Sequence, residues 1–177
     1  MSIAPEFVCI LCLCNDIYQC CLRERRRMVE TRWMLTKDLD AVAAIELKSS
    51  EFYMSREDLI KLLRRRSVVA MVAVDNELIV GFMIYELMNR RIQLLNIAVH
   101  NKHIRQGIGK QLIDRLKSKL SAKRRTKIST EVRESNLNTQ LFLKQQEFRG
   151  TEVLRDYFPD THEDAFVMQY TIGDTDE

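Results

Sequence analysis

The run "VVAMVAVDNELIVGFMIYELMNRRIQLLNIAV", residues 68–99, constrains the fold of this chain more than any other stretch. It consists of apolar, β-branched and aromatic segments broken at Asp75-Asn76 and at Asn89-Arg90, pairs suited to tight turns. Such closely spaced segments predict an antiparallel meander of three strands. Directly behind it, "HIRQGIGKQL" carries Gly107 and Gly109 at the head of an apolar series, Ile108, Leu112, Ile113, Leu116 and Leu120, that lies on one helical face. The meander therefore feeds a strand–loop–helix crossover, which a purely antiparallel barrel or sandwich does not contain.

Only 5 of 177 residues are glycine, so two at a helix start, where they lower helix stability, need a reason. A helix N-terminus offers unpaired N–H groups and the positive end of its dipole, a good seat for phosphate. Small residues let backbone approach an anion closely, and Arg105 and Lys110 add positive charge. The competing reading is a tight turn whose glycines serve close packing, and the spacing alone does not decide between them. The loop is not a P-loop, since no Gly-Lys-Ser/Thr follows, nor the dinucleotide fingerprint, since the third glycine is missing.

Around this unit a short strand fits Glu30 to Leu35, and Thr36 can cap a helix with apolar positions Leu39, Val42, Ala43 and Leu47. Ser55 and Asp58 form a capping-box pattern ahead of Leu59, Ile60, Leu62 and Leu63. Residues 126–132, "TKISTEV", read as a strand, and Asn136 starts a helix through Leu137, Leu141 and Phe142. Two strands close the chain, near Phe148 to Arg155 and Ala165 to Ile172. The order βααβββαβαββ predicts one α/β (α+β) domain, a mixed sheet with helices on its faces, over residues 29–173. Residues 1–28 read as a poorly specified extension, with Met28 able to open the folded domain, and 174–177 as an acidic tail.

The net charge is +3 with both signs spread along the sequence, which argues against direct nucleic-acid binding. The basic runs at 23–27, 64–66 and 123–127 read as solvated faces and loop ends. All five cysteines fall within the first 21 residues, so the body is no disulfide scaffold and a reducing, cytoplasmic setting follows; their spacing lacks a second matched ligand pair, so no metal is expected. "FVCILCLC" is too short to span a bilayer and precedes its arginines, the reverse of a signal peptide, so no membrane role is expected.

"LLNIAVHNKHIRQGIGKQLIDRL" resembles the acetyl-CoA-binding motif of the GCN5-related N-acetyltransferase (GNAT) superfamily, with its signature [Gln/Arg]-x-x-Gly-x-[Gly/Ala]. "NIAV", "EVRESN" and "LRDYFPDTHEDAFVM" narrow the resemblance to the bacterial ribosomal-protein-alanine N-acetyltransferase (RimI-type) family, over about residues 30–172. The resemblance implies the GNAT fold, acetyl-CoA as co-substrate and a protein N-terminus, that of a ribosomal protein, as acceptor. It implies that Arg105, Gln106, Gly107, Ile108, Gly109 and Lys110 cradle the pyrophosphate. The backbone of Ile97, Ala98 and Val99 would hold the pantetheine arm, and Asn136 would touch the cofactor, cap its helix, or do both. Ile104 departs from the signature, standing where Gln or Arg is usual, with Arg105 next to it.

Acetyl transfer needs a neutral amine, so a carboxylate must take the ammonium proton directly or through water. Glu131 matches the family's general base, and an ionisable pair, Glu131 and Arg133, in an interior strand itself calls for a reason; the alternative is an exposed strand face. The family's proton donor, a tyrosine, falls on Leu143, which cannot donate, and the glycine usual before Phe148 is Glu147. Tyr157 is the substitute donor or an aromatic contact for the incoming peptide. His100 and His103 read as solvent-exposed, and His162 as a turn or peptide contact. Two further readings stay open: another amine acceptor (a small molecule, a lysine, an aminoacyl-tRNA), and a catalytically weak CoA-binding module.

Overall fold

The computed structural model describes residues 28–49 and 54–173; the cysteines, the tail and all of the extension but Met28 lie outside them. Seven strands form one sheet: β1 (Glu30–Trp33), β2 (Val68–Asp75), β3 (Leu78–Leu87), β4 (Arg91–Val99), β5 (Lys127–Arg133), β6 (Arg149–Phe158) and β7 (Glu163–Thr171). Their spatial order is β1-β2-β3-β4-β5-β7-β6. Every pairing is antiparallel except β4 with β5. The helices are α1 (Leu39–Ser49), α2 (Arg56–Leu63), α3 (Ile108–Lys117) and α4 (Leu137–Gln145), with short 3-10 turns at Thr36–Asp38 and Asn101–His103. The element order is the expected βααβββαβαββ.

Strand alternation divides the apolar residues between two cores. Met71, Ala73, Met83, Tyr85, Ile92 and Leu94 pack with Ile108, Leu112, Ile113 and Leu116 of α3 and Leu143 of α4. Ala70, Val72, Phe82, Ile84 and Ala98 pack on the opposite face with Leu39, Val42 and Ile45 of α1 and Leu59 of α2. The central strands are apolar on both sides because both sides are covered. The β2–β3 hairpin turns at Asn76 and Glu77, both with positive φ (46° and 68°), one residue beyond the Asp75-Asn76 break.

Several boundaries differ from expectation for local reasons. Asp38, not Thr36, secures the entry to α1: its carboxylate accepts from the Leu35 N–H at 2.8 Å and pairs bidentately with Arg32. The Arg32 hydrogen bond, foremost, holds the buried Asp38 carboxyl below the usual range. Leu47 is exposed while Ile45 and Glu46 are buried, so a carboxylate occupies a core-facing position of α1. Leu120 lies past the end of α3 and packs on the core from the loop. Ser55 caps α2 as expected, its side chain accepting from the Asp58 N–H.

Candidate active site

The parallel ladder between β4 and β5 is short. It joins Arg91 to Lys127, Ile92 to Ile128 and Gln93 to Ser129, and then stops. Beyond that point β4 stays with β3 and β5 stays with β7, so the sheet opens into a wedge. A bulge drives the divergence: Tyr85 pairs Leu94 and Ile84 pairs Asn96, leaving Leu95 as the extra residue on β4. Among the described residues, the segment Leu94–Val99, including Ile97, Ala98 and Val99, has no strand partner on its β5 side. It is a free edge inside a sheet, open to an extended ligand that hydrogen-bonds as a strand does.

The glycine loop lies just past the end of β4. Arg105 (φ 62°) and Gly107 (φ 77°) are both left-handed, and Gly107 is the N-cap of α3. Left-handed backbone of this kind at a helix N-terminus is a setting that can hold an anion. Gln106 Nε2 donates to the Lys102 carbonyl at 3.3 Å, and Lys110 pairs with Asp114 at 3.2 Å. Ile104 and Arg105 are exposed, and Ile108 is buried in the core. The two glycines have different reasons. Gly107 supplies the left-handed turn, whereas a Cβ on Gly109 would sit 3.1 Å from Phe142 Cζ of α4. The packing reading holds at Gly109, and backbone conformation is the demand at Gly107.

At the root of the wedge stands Glu131, half-buried on β5. Gln93 Nε2 donates to its Oε2 at 2.7 Å. Desolvation, the largest influence, raises the Glu131 carboxyl above its ordinary value, and the charge of Arg91 opposes this. A carboxylate raised in this way takes up a proton more readily near neutral pH. Asn136 caps α4, its Oδ1 accepting from the Thr139 N–H at 3.1 Å.

Leu143 of α4 is fully buried in the core, and Glu147 adopts a positive φ of 65°. Tyr157, on β6, is 45% exposed and makes an edge-on contact with Phe158. Its phenol is raised first by desolvation and then by the negative charge of Glu131. Arg133 is no exposed partner of Glu131. It hydrogen-bonds Asp160 and Thr161 at 2.7 Å and lies 3.9 Å over Phe158, tying the β6–β7 loop to β5. His162 of this loop pairs with Asp156 of β6. His100 and His103 are half-buried, not exposed, with their rings edge to face.

Three further residues escaped the sequence reading. Glu46 is 3% exposed and accepts from the Met54 N–H at 3.2 Å and from Asn96 Nδ2 at 2.9 Å, tying α1 to β4 beside the bulge. Gln93 is buried, with Oε1 unpaired among the described residues, as is Oγ of its register partner Ser129. Glu46 was legible as a charge falling on the apolar stripe of Leu39 and Val42. Gln93 carried no such signal.

The acetyltransferase (GNAT) family model matches residues 30–148. The ribosomal protein bS18-alanine N-acetyltransferase of Salmonella typhimurium is 27% identical over 140 residues, 78% of this chain and 94% of the relative. The crystal structure of the ribosomal-protein-S18-alanine N-acetyltransferase from Escherichia coli superposes with a TM-score of 0.73 at 26% identity, covering 85% of this chain and 97% of that one. Arabidopsis thaliana NAA60 in complex with acetyl-CoA has the same fold, with a TM-score of 0.72 at 18% identity over 82% of this chain and 100% of that one.

Proposed function

This chain belongs to the acetyltransferase (GNAT) family, and from that premise we propose that it transfers acetyl from acetyl-CoA to a protein N-terminal amine, that of a ribosomal protein. The observation that supports the reading is the wedge: β4 leaves β5 as a free edge, Glu131 stands on β5 with its carboxyl raised, and the glycine loop follows β4 at the N-terminus of α3. The names of the relatives at 27% and 26% identity support the ribosomal-protein acceptor. A cytoplasmic setting goes with such an acceptor.

The residues present suit acetyl-CoA. The amides around Gly107 to Lys110 would hold its phosphates, with Arg105 adding charge. The edge at Ile97 to Val99 would hold the pantetheine, and Asn136 would lie beside it. When bound, acetyl-CoA supplies an activated thioester. Glu131 would take the proton of the incoming ammonium, held in place by Gln93. Tyr157, kept protonated by its raised pKa, would donate toward the departing thiolate. Leu143 leaves the family's usual donor position apolar.

The test is a panel of acceptors: ribosomal-protein N-terminal peptides, the same peptides with blocked α-amines and a free lysine, and small amines. Thiol release with the free N-termini alone supports the proposal. Release with lysine or small amines alone replaces the acceptor, and release with none favours a CoA-binding module.

A further inference from the structure

The fold gathers basic segments that lie far apart in sequence onto one end of the sheet. Arg64, Arg65 and Arg66 close α2 and lead into β2, whose first residue, Val68, pairs with Glu86 at the end of β3. The Leu87 N–H donates to the Ser67 carbonyl at 2.8 Å, binding that turn to the β3–β4 hairpin with Arg90 and Arg91. The hairpin in turn touches the loop before β5: Arg125 Nε donates to the Met88 carbonyl at 2.6 Å, the Thr126 N–H to the Arg90 carbonyl at 3.3 Å, and Arg91 pairs with Lys127. Lys123 and Arg124 complete the surface.

Residues 64–67, 86–91 and 121–127 hold seven arginines, two lysines and one acid, Glu86. Glu86 is already bound by Arg65 and Ser67 at 2.7 and 2.6 Å. Arg64, Arg65, Arg66, Arg90, Lys123 and Arg124 are exposed. These segments carry +8 while the other described residues together carry −2, so among the described residues the positive charge is concentrated at this end. The expectation of no nucleic-acid binding weighed charge along the sequence, where these runs are separate.

We infer that this end of the sheet docks a nucleic acid, an RNA strand bound through its phosphates. Arginine outnumbers lysine, and its planar fork matches phosphate oxygens in pairs. An area of concentrated positive charge on a body that is otherwise close to neutral is the electrostatic footprint of phosphate-backbone binding. The patch lies at the closed end of the β4–β5 ladder, opposite the wedge, so a bound strand leaves Glu131 accessible. Docking of this kind holds the enzyme beside acceptors that are themselves carried on RNA.

The experiment is fluorescence anisotropy of a labelled single-stranded RNA of about 20 nucleotides, titrated with the full chain over a salt series. Five neutralised phosphates predict a slope of log affinity on log salt of about −3.5. The variant Arg64→Ser/Arg66→Ser/Arg124→Ser should bind at least tenfold more weakly, with a slope shallower by about 2. Its melting temperature and its thermal shift with acetyl-CoA should match wild type. No RNA binding at low salt overturns the proposal, as does equal binding by the variant. Binding to phosphatidylserine vesicles without binding to RNA also overturns it, and assigns the patch to an anionic membrane surface.

Discussion

Gln93 on β4, which pairs with Ser129 in the last rung that joins the two strands, donates a 2.7 Å hydrogen bond to Glu131, two residues further along β5. Desolvation, foremost, favours the neutral acid, and a backbone hydrogen bond and the charge of Arg91 oppose it; a side-chain N–H donor also favours a charged carboxylate. Gln93→Met removes the donor at similar volume, so the Glu131 carboxyl should rise further. The acid limb of kcat/KM should then move to higher pH, with KM for acetyl-CoA unchanged. A profile superimposable on wild type would show that Gln93 does not tune the base.

The same raised carboxyl has a consequence for stability. A group raised in the folded state contributes stability that is present at low pH and is lost as pH rises through its folded pKa. At neutral pH the Glu131 carboxylate therefore weighs against the fold. Glu131→Gln should melt higher than wild type at neutral pH, and the advantage should shrink as the solution is acidified. Thermal melts across pH check this, and a lower melting temperature at neutral pH would contradict it.

The two glycines should respond differently. Gly107→Ala forces a side chain into left-handed backbone and should cost about 1–2 kcal/mol. Gly107→Val should also abolish the thermal shift with acetyl-CoA, which for wild type corresponds to about 2.7 kcal/mol at a hundredfold excess over Kd. Gly109→Ala meets the Phe142 ring instead. In a Phe142→Leu background it should become stabilising by up to about 1 kcal/mol, the helix preference of alanine over glycine. Denaturant melts of the single and double variants measure both.

Leu143→Tyr, which would restore the family donor, must fit a larger polar side chain where leucine is fully buried. It should destabilise by about 1–3 kcal/mol and leave turnover no higher than wild type. Tyr157→Phe separates the roles left open for that residue. A large fall in kcat marks the proton donor, whereas a rise in peptide KM with kcat intact marks an acceptor contact.

Much of the architecture was legible because local signals agreed with the fold: the meander by its turn pairs, α3 by its apolar face, α2 by the Ser55–Asp58 cap. The glycine loop was legible through chemistry, since glycine beginning a helix is costly without a reason. What was not legible depends on distance in sequence. The wedge arises from a bulge at Leu95, which no periodicity marks. Gln93 and Glu131 are 38 residues apart, and Glu46 and Asn96 are 50 apart. Leu47 was mistaken for core because a buried carboxylate, Glu46, held the position an apolar residue would normally mark.

The start of the folded domain can be set by truncation. Val29 is buried in the α3-side core, and its N–H donates to Gln111 Oε1 at 3.1 Å. We propose that residues 1–27 are dispensable, so a chain starting at Met28 should melt like the full chain and show the same shift with acetyl-CoA. A chain starting at Glu30 loses both contacts and should melt lower. Loss of folding in the chain starting at Met28 would make the extension structural.

The most direct test of the central claim is steady-state acetyl transfer to an N-terminal peptide by wild type and Glu131→Gln across pH, with acetyl-CoA binding measured alongside. General base help is worth roughly 10²–10⁴-fold, so kcat should fall by that range while acetyl-CoA affinity is retained. The wild-type acid limb should lie above the ordinary carboxylate range, as the raised Glu131 requires, and should be absent from the variant. Wild-type turnover by Glu131→Gln at every pH would contradict the account.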